Sequence, residues 1–150
     1  MRTTTAALTA AAAALTLAVG TMTTAAGASA AGPRPARAGE CRTLAGHSFT
    51  VGTDVGFVER YDYSRDGKQL TATVVQPGSF GLPVGTVTTV PIQVAPIGPE
   101  TYLVSWVEAG GFTVSEAQNL RTGAVNLFWT FPDGTGSQIG EEHTGTIACV

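Results

Sequence analysis

Several things are missing from this 150-residue sequence: clustered lysine and arginine, a G-x-S-x-G turn, a phosphate-binding glycine loop and any apolar run of spanning length. Without basic clusters there is no footprint for a nucleic-acid backbone. Without the G-x-S-x-G turn there is no nucleophile elbow, and no serine or cysteine stands in another recognisably activated setting. The strongest apolar stretch, residues 6–19, falls short of the roughly 20 residues that a membrane-spanning helix needs. After residue 40 there is also no convincing helical period.

That N-terminal stretch fits an export signal instead. Arg2 precedes the Ala/Leu/Val run, and small residues follow through Ala28-Ser29-Ala30, an A-x-A pattern for signal peptidase. No lipobox cysteine follows it. The sequence therefore predicts a Sec signal peptide over residues 1–30, cleaved near Ala30, and a secreted product with no membrane attachment after cleavage. Residues 31–40 are rich in Pro, Gly, Ala and Arg and read as a disordered spacer. The single folded domain is then residues 41–150, enough for one core and too little for two. With Arg2 removed, seven basic and eleven acidic side chains leave a net charge of −4, again against a nucleic-acid partner.

The only two cysteines, Cys41 and Cys149, bracket this domain 108 positions apart. In an exported chain they predict a disulfide. Closing so long a loop is worth ~4–5 kcal/mol in the chain-entropy model.

Between them, β-branched and aromatic residues alternate with polar ones, punctuated by Gly, Pro and Asp. Eight strand-like runs emerge, near 44–51, 54–63, 68–76, 84–95, 100–108, 112–119, 124–131 and 137–149. Most connections are hairpin-short, so the expected fold is all-β, an antiparallel up-and-down eight-stranded barrel closed by the end-to-end disulfide. First and last strands pair in such a barrel. If Cys41 lies opposite Cys149, Ala45 faces Gly145, and His47 faces His143 at about 5 Å between Cβ atoms.

Counting through the hairpins gives an interior face. A two-residue Asp66-Gly67 turn pairs Tyr63 with Leu70, Tyr61 with Ala72 and Glu59 with Val74. A three-residue 109–111 turn pairs Glu108 with Phe112 and Trp106 with Val114, and a two-residue Thr122-Gly123 turn pairs Glu116 with Trp129. The inward set then holds Phe57, Tyr61, Tyr63, Tyr102, Trp106, Phe112 and Trp129, accompanied by Glu59, Glu108, Glu116, Glu141 and both histidines.

An aromatic face of this kind is what a packed β core requires, and in an eight-stranded barrel it also suits one small ligand. Glu59 and Glu108 interrupt apolar alternations and supply the few polar groups a binding pocket needs. At a barrel mouth they would simply be solvated. His47, His143 and Glu141 are the candidates for a transition-metal site, having the donor types but no sequence motif. A structural histidine pair at the seam is the preferred reading, with no metal and no cofactor.

The stretches Tyr102-Leu-Val-Ser-Trp-Val-Glu108, Gly110-Gly-Phe-Thr-Val-Ser115 and Leu120-Arg-Thr-Gly-Ala-Val125 resemble MoaF-like proteins, small calycin-type barrels named after molybdenum cofactor biosynthesis protein F. Gly46-His47-Ser48-Phe49 is similar to the family's opening G-x-x-F pattern. The resemblance covers residues 41–150 and implies a lipocalin-like barrel whose central pocket takes a small apolar molecule, with Trp106 and Glu108 lining it. An export signal and a disulfide set this chain apart from cytoplasmic cofactor assembly.

The leading expectation is thus a secreted, monomeric barrel that binds a small apolar or aromatic molecule. Trp106, Tyr61, Trp129 and Phe112 form the wall, and Glu108 and Glu59 orient the ligand. Second comes a decarboxylase- or isomerase-like enzyme using carboxylates and tyrosines, ranked below binding because Arg60, the cation such chemistry would want inside, has outward parity with Val58 and Asp62. A surface-acting structural or inhibitory module with a filled core is third.

Overall fold

The computed structural model describes residues 41–150. The expected signal peptide and spacer lie outside the described residues. Among the described residues, no helix is long and apolar enough to cross a membrane.

Nine strands form one antiparallel sheet: β1 (Ser48–Thr53), β2 (Phe57–Tyr63), β3 (Gln69–Pro77), β4 (Val87–Pro91), β5 (Gln93–Gly98), β6 (Thr101–Val107), β7 (Thr113–Asn119), β8 (Ala124–Pro132) and β9 (Gln138–Cys149). A single 3₁₀ turn, Ala109–Gly111, joins β6 to β7. The strands lie in the order β4-β3-β2-β1-β9-β8-β7-β6-β5. First and last strands pair centrally, as expected of the eight-stranded scheme, but the strand count and the closure differ from it. Ladders join every neighbour in this order, and none joins β4 to β5 among the described residues. The sheet curls into a half-barrel.

The extra strand comes from the run at 84–95. Ile92 breaks it, donating its N–H to the Lys68 carbonyl beside the β2–β3 turn. Before Ile92 the chain pairs with β3, and after it with β6, at the opposite end of the sheet. Pro91 and Pro96 fit this placement, because proline offers no N–H to a ladder and is tolerated in edge strands.

Two registers match the counting through the hairpins. Tyr63, Tyr61 and Glu59 oppose Leu70, Ala72 and Val74, and Trp106 opposes Val114. Two registers differ. Glu116 opposes Leu127, and Trp129 opposes Val114. The β7–β8 turn is longer than two residues because Asn119 caps it, its side-chain oxygen accepting the Arg121 and Thr122 N–H groups, and Leu120 folds back into the core. On the central seam, Phe49 opposes Cys149 where Cys41 was expected. Residues 41–47 do not extend β1. A turn closed by His47 N–H to the Leu44 carbonyl, with Gly46 at φ +76°, sends them across the end of the half-barrel. Leu44 is buried there, and Cys41 reaches Cys149 from outside the ladder, with Cα atoms 5.8 Å apart.

Both slips are even, so the paired strand residues keep their expected parity, whereas His47, outside β1, and Glu141, on the projecting part of β9, are exposed where an inward position was expected. On β8, Val125, Leu127 and Trp129 are buried between exposed Ala124, Asn126 and Phe128, the period of a strand with one covered face. Phe49, Leu70, Val104 and Val125 fill the end of the core nearest the disulfide.

Replacing Cys41 with Ser should lower unfolding free energy by about 2–5 kcal/mol, the usual effect of losing a native bridge. Urea titrations of the variant, and of the parent with and without reductant, measure this. Equal midpoints would show that Leu44 and the seam ladder hold the end without the bridge.

Candidate functional site

The other end of the half-barrel is open. A cavity of about 340 Å³ lies there, and all six residues singled out as ligand-binding candidates line it: Trp106, Glu108, Glu59, Tyr61, Phe112 and Trp129. Alternation places them. Phe57, Glu59 and Tyr61 follow one another on the inner face of β2, Trp106 and Glu108 on β6 and its exit, and Leu127 and Trp129 on β8. Phe112 stacks on Phe131 and tilts against Trp129 at the rim.

Phe80 and Leu82, from the 78–83 loop, were missed as site residues because the loop reads as Gly/Pro punctuation. Two large apolar residues within such a loop were the available signal. Phe80 packs edge-on against both Phe57 and Trp129, with ring centroids 5.1 Å apart in each case, so the loop covers part of the mouth. Its base is anchored by Gln76, whose side-chain amide donates to the Gly56 carbonyl. Gly78 (φ +51°) runs so close to β2 that a Cβ there would stand 2.5 Å from the Phe57 nitrogen.

Below the cavity, a polar network crosses the interior. The Tyr61 hydroxyl donates to Glu116 at 2.9 Å, Gln118 Nε2 donates to the other Glu116 oxygen at 2.6 Å, and the Tyr63 hydroxyl donates to Gln118 Oε1 at 3.0 Å. Glu116 and Gln118 are both fully buried. Burial pushes the Glu116 carboxyl up to about 7, with the Gln118 and Tyr61 hydrogen bonds acting in the other direction. Glu59 is likewise pushed up to about 7, first by burial and then by the neighbouring charges of Glu108 and Glu116. Burial also raises the Tyr61 and Tyr63 hydroxyls well above the ordinary tyrosine value. Glu108 accepts the Trp106 indole N–H at 3.0 Å, which fixes both side chains at the cavity wall.

The proposed histidine pair does not form. His47 is exposed, its Nδ1 lying 3.1 Å from the Ala45 carbonyl. His143 stands at the far end of β1, with Nδ1 2.9 Å from Asp54 and Nε2 3.5 Å from Glu141. Its ring centroid is 4.1 Å from that of Trp129. The seam register separates the two imidazoles, and among the described residues no three His, Cys, Asp or Glu side chains are grouped to hold a metal ion. Arg60 faces solvent as expected and grips Asp62 with Nε and Nη2 at 2.9–3.1 Å. Tyr102 is half-buried at the disulfide end, its hydroxyl donating to the Arg42 carbonyl.

The interior carboxyls have a consequence for stability. The folded state keeps protons on Glu59 and Glu116 up to about pH 7, whereas the unfolded chain releases them near 4.5. The native state binds more protons in that window, so stability should fall by on the order of a few kcal/mol as pH rises through it. Asp54 and Asp133, drawn below their ordinary 3.8 by hydrogen bonds from the Thr144 backbone and the Thr135 hydroxyl, act at lower pH. Urea midpoints should therefore be higher at pH 5 than at pH 8, and Glu59→Gln should flatten the difference by stabilising the protein at pH 8. A parent protein equally stable at both values would mean that the interior acids are not protonated.

Comparison with known proteins places this architecture. A solved structure from Burkholderia vietnamiensis, provisionally described as a beta-lactamase, superposes with a TM-score of 0.60 at 24% sequence identity, covering 71% of this chain and 95% of that one. At that identity the likeness establishes the fold alone. No curated protein matches the chain. The family model described as MoaF-like matches residues 45–146, a span that includes every residue lining the cavity. This chain belongs to the MoaF-like family.

Proposed function

We propose that the protein is a secreted, monomeric binding protein that holds one small hydrophobic or aromatic molecule in its half-barrel. The observation that carries this reading is the cavity itself. At about 340 Å³ it falls within the range of small-molecule sites, roughly 300–1,000 Å³. Its wall combines Trp106, Trp129, Tyr61, Phe57 and Phe112 with only a few polar groups, chiefly Glu59, Glu108 and threonine hydroxyls. An open interior also weighs against a module acting only through its surface. Export is supported by the Cys41–Cys149 bridge, a bond that persists in oxidising compartments.

Acid–base catalysis remains the second reading, favoured by one observation: Glu59, pushed up to about 7, faces the cavity beside Tyr61. Yet no lysine, arginine or histidine is among the described residues that line the cavity to anchor a substrate carboxylate, and Arg60 is paired with Asp62 outside. Among the described residues, the lining also contains no serine or cysteine to act as a nucleophile.

Both tryptophans line the cavity, so an apolar dye that enters it should quench intrinsic fluorescence saturably, with one dye bound per chain. Val74→Phe, which adds volume at a lining position, should weaken binding at least tenfold while leaving the far-ultraviolet dichroism unchanged. Unchanged fluorescence across a broad panel of dyes would sink the binding proposal.

A further inference from the structure

The cavity is aromatic, but its polar groups have one sign. Glu59 and Glu108 face it, Glu116 lies beneath it against Tyr61, and no cationic side chain is among the described residues that line it. A neutral ligand would gain little from this arrangement. Carboxylates closed off from water lose hydration, and an apolar molecule returns nothing for that loss. A bound cation would compensate them, and the faces of Trp106, Trp129 and Phe112 would add the attraction of aromatic rings for positive charge.

Building on the binding reading above, we propose that the cavity selects small organic cations, arylalkyl amines in particular, over neutral and anionic molecules of the same shape, with Glu59 and Glu108 as counter-charges. Three features support the choice. Glu108 is held in place by the Trp106 indole N–H at 3.0 Å, so carboxylate and ring face the cavity as one unit. Glu59 makes no ion pair among the described residues, and the Tyr61 hydroxyl beside it on β2 also donates to Glu116 at 2.9 Å, so the carboxyl has no opposite charge of its own. A metal ion is a poorer fit, since no three suitable side chains converge among the described residues.

The groups facing Glu59 are Tyr61 on β2, Glu108 at the end of β6 and Glu116 on β7, while β3 contributes only Val74 opposite it. Every charge among them is negative, and with burial they favour a protonated Glu59 in the empty protein. An entering ammonium reverses that preference. The Glu59 carboxyl releases its proton to solvent, and the ammonium keeps all of its own.

The test uses the exported chain as purified from culture medium and three probes sharing one ring: phenethylamine, 2-phenylethanol and phenylacetate. Titration calorimetry at pH 7.5 should show the amine binding at least tenfold more tightly than the alcohol, and phenylacetate not binding. Glu59→Gln and Glu108→Gln should each weaken the amine about tenfold while changing the alcohol less than twofold. Repeating the amine titration near pH 6.5 in two buffers of different ionisation enthalpy should reveal proton release that Glu59→Gln removes. Alcohol binding as tight as amine binding would overturn cation selection and leave the apolar pocket intact. Saturable dye quenching with no amine binding would do the same. If neither the probes nor the dyes bind, the binding reading itself fails, and cation selection falls with it.

Discussion

The interior of this half-barrel depends on a hydrogen-bonded crossing between strands that are not sheet neighbours. Tyr61 and Tyr63 on β2 reach Glu116 and Gln118 on β7, although three strands separate β2 from β7 in the sheet. A fully buried carboxyl and amide are costly unless each finds partners. The tyrosine hydroxyls are those partners, and they are long enough to meet Glu116 and Gln118 only if the sheet curls to bring the two strands face to face. The crossing also divides the interior. Below it, Phe49, Leu70, Val125 and Leu120 pack against the disulfide end. Above it, Glu59, Trp106, Leu127 and Trp129 line a cavity that side chains do not fill.

That division has an electrostatic consequence. Glu59 and Glu108 face the cavity and Glu116 lies fully buried beneath it, with no basic side chain among the described residues that line the cavity. Burial favours the protonated forms of Glu59 and Glu116, with the charges of Glu108 and Glu116 adding to it at Glu59, so the fold is under least electrostatic load in acid and carries a growing penalty towards neutral pH. An arrangement that costs stability in the empty protein is a common property of functional sites. Apolar residues of similar volume would pack the same space without the penalty. The acids therefore point to something that enters the cavity, and their common sign bears on what that is.

Much of the site was legible in the sequence because a strand repeats every two residues whatever its neighbours do. Glu59, Tyr61, Trp106, Glu108, Phe112 and Trp129 could be assigned to one face by counting alone, and hairpins turning at Asp66-Gly67 and at 109–111 have lengths that fix their registers. Counting failed where a turn used more residues than its glycine suggested. Asn119 caps the β7–β8 turn and draws Leu120 inward, which moves Trp129 opposite Val114. Phe80 and Leu82 escaped notice for a related reason: a loop has no period, so nothing in its spacing reveals which residue turns towards the mouth.

The sequence by itself determined the all-β class, the alternation that separates interior from surface, the near-end positions of the two cysteines and the family to which the chain belongs. Each of these rests on local backbone period or on short motifs, and an even slip in register leaves them untouched. Only the tertiary structure decided that Ile92 divides one apparent strand between opposite edges of the sheet, that residues 41–47 fold across its end, and that His47 and His143 stand apart. Those outcomes concern residues distant in sequence, whose alignment depends on how many residues each loop consumes and on which buried polar groups must meet. Neither quantity is written in the alternation of the strands.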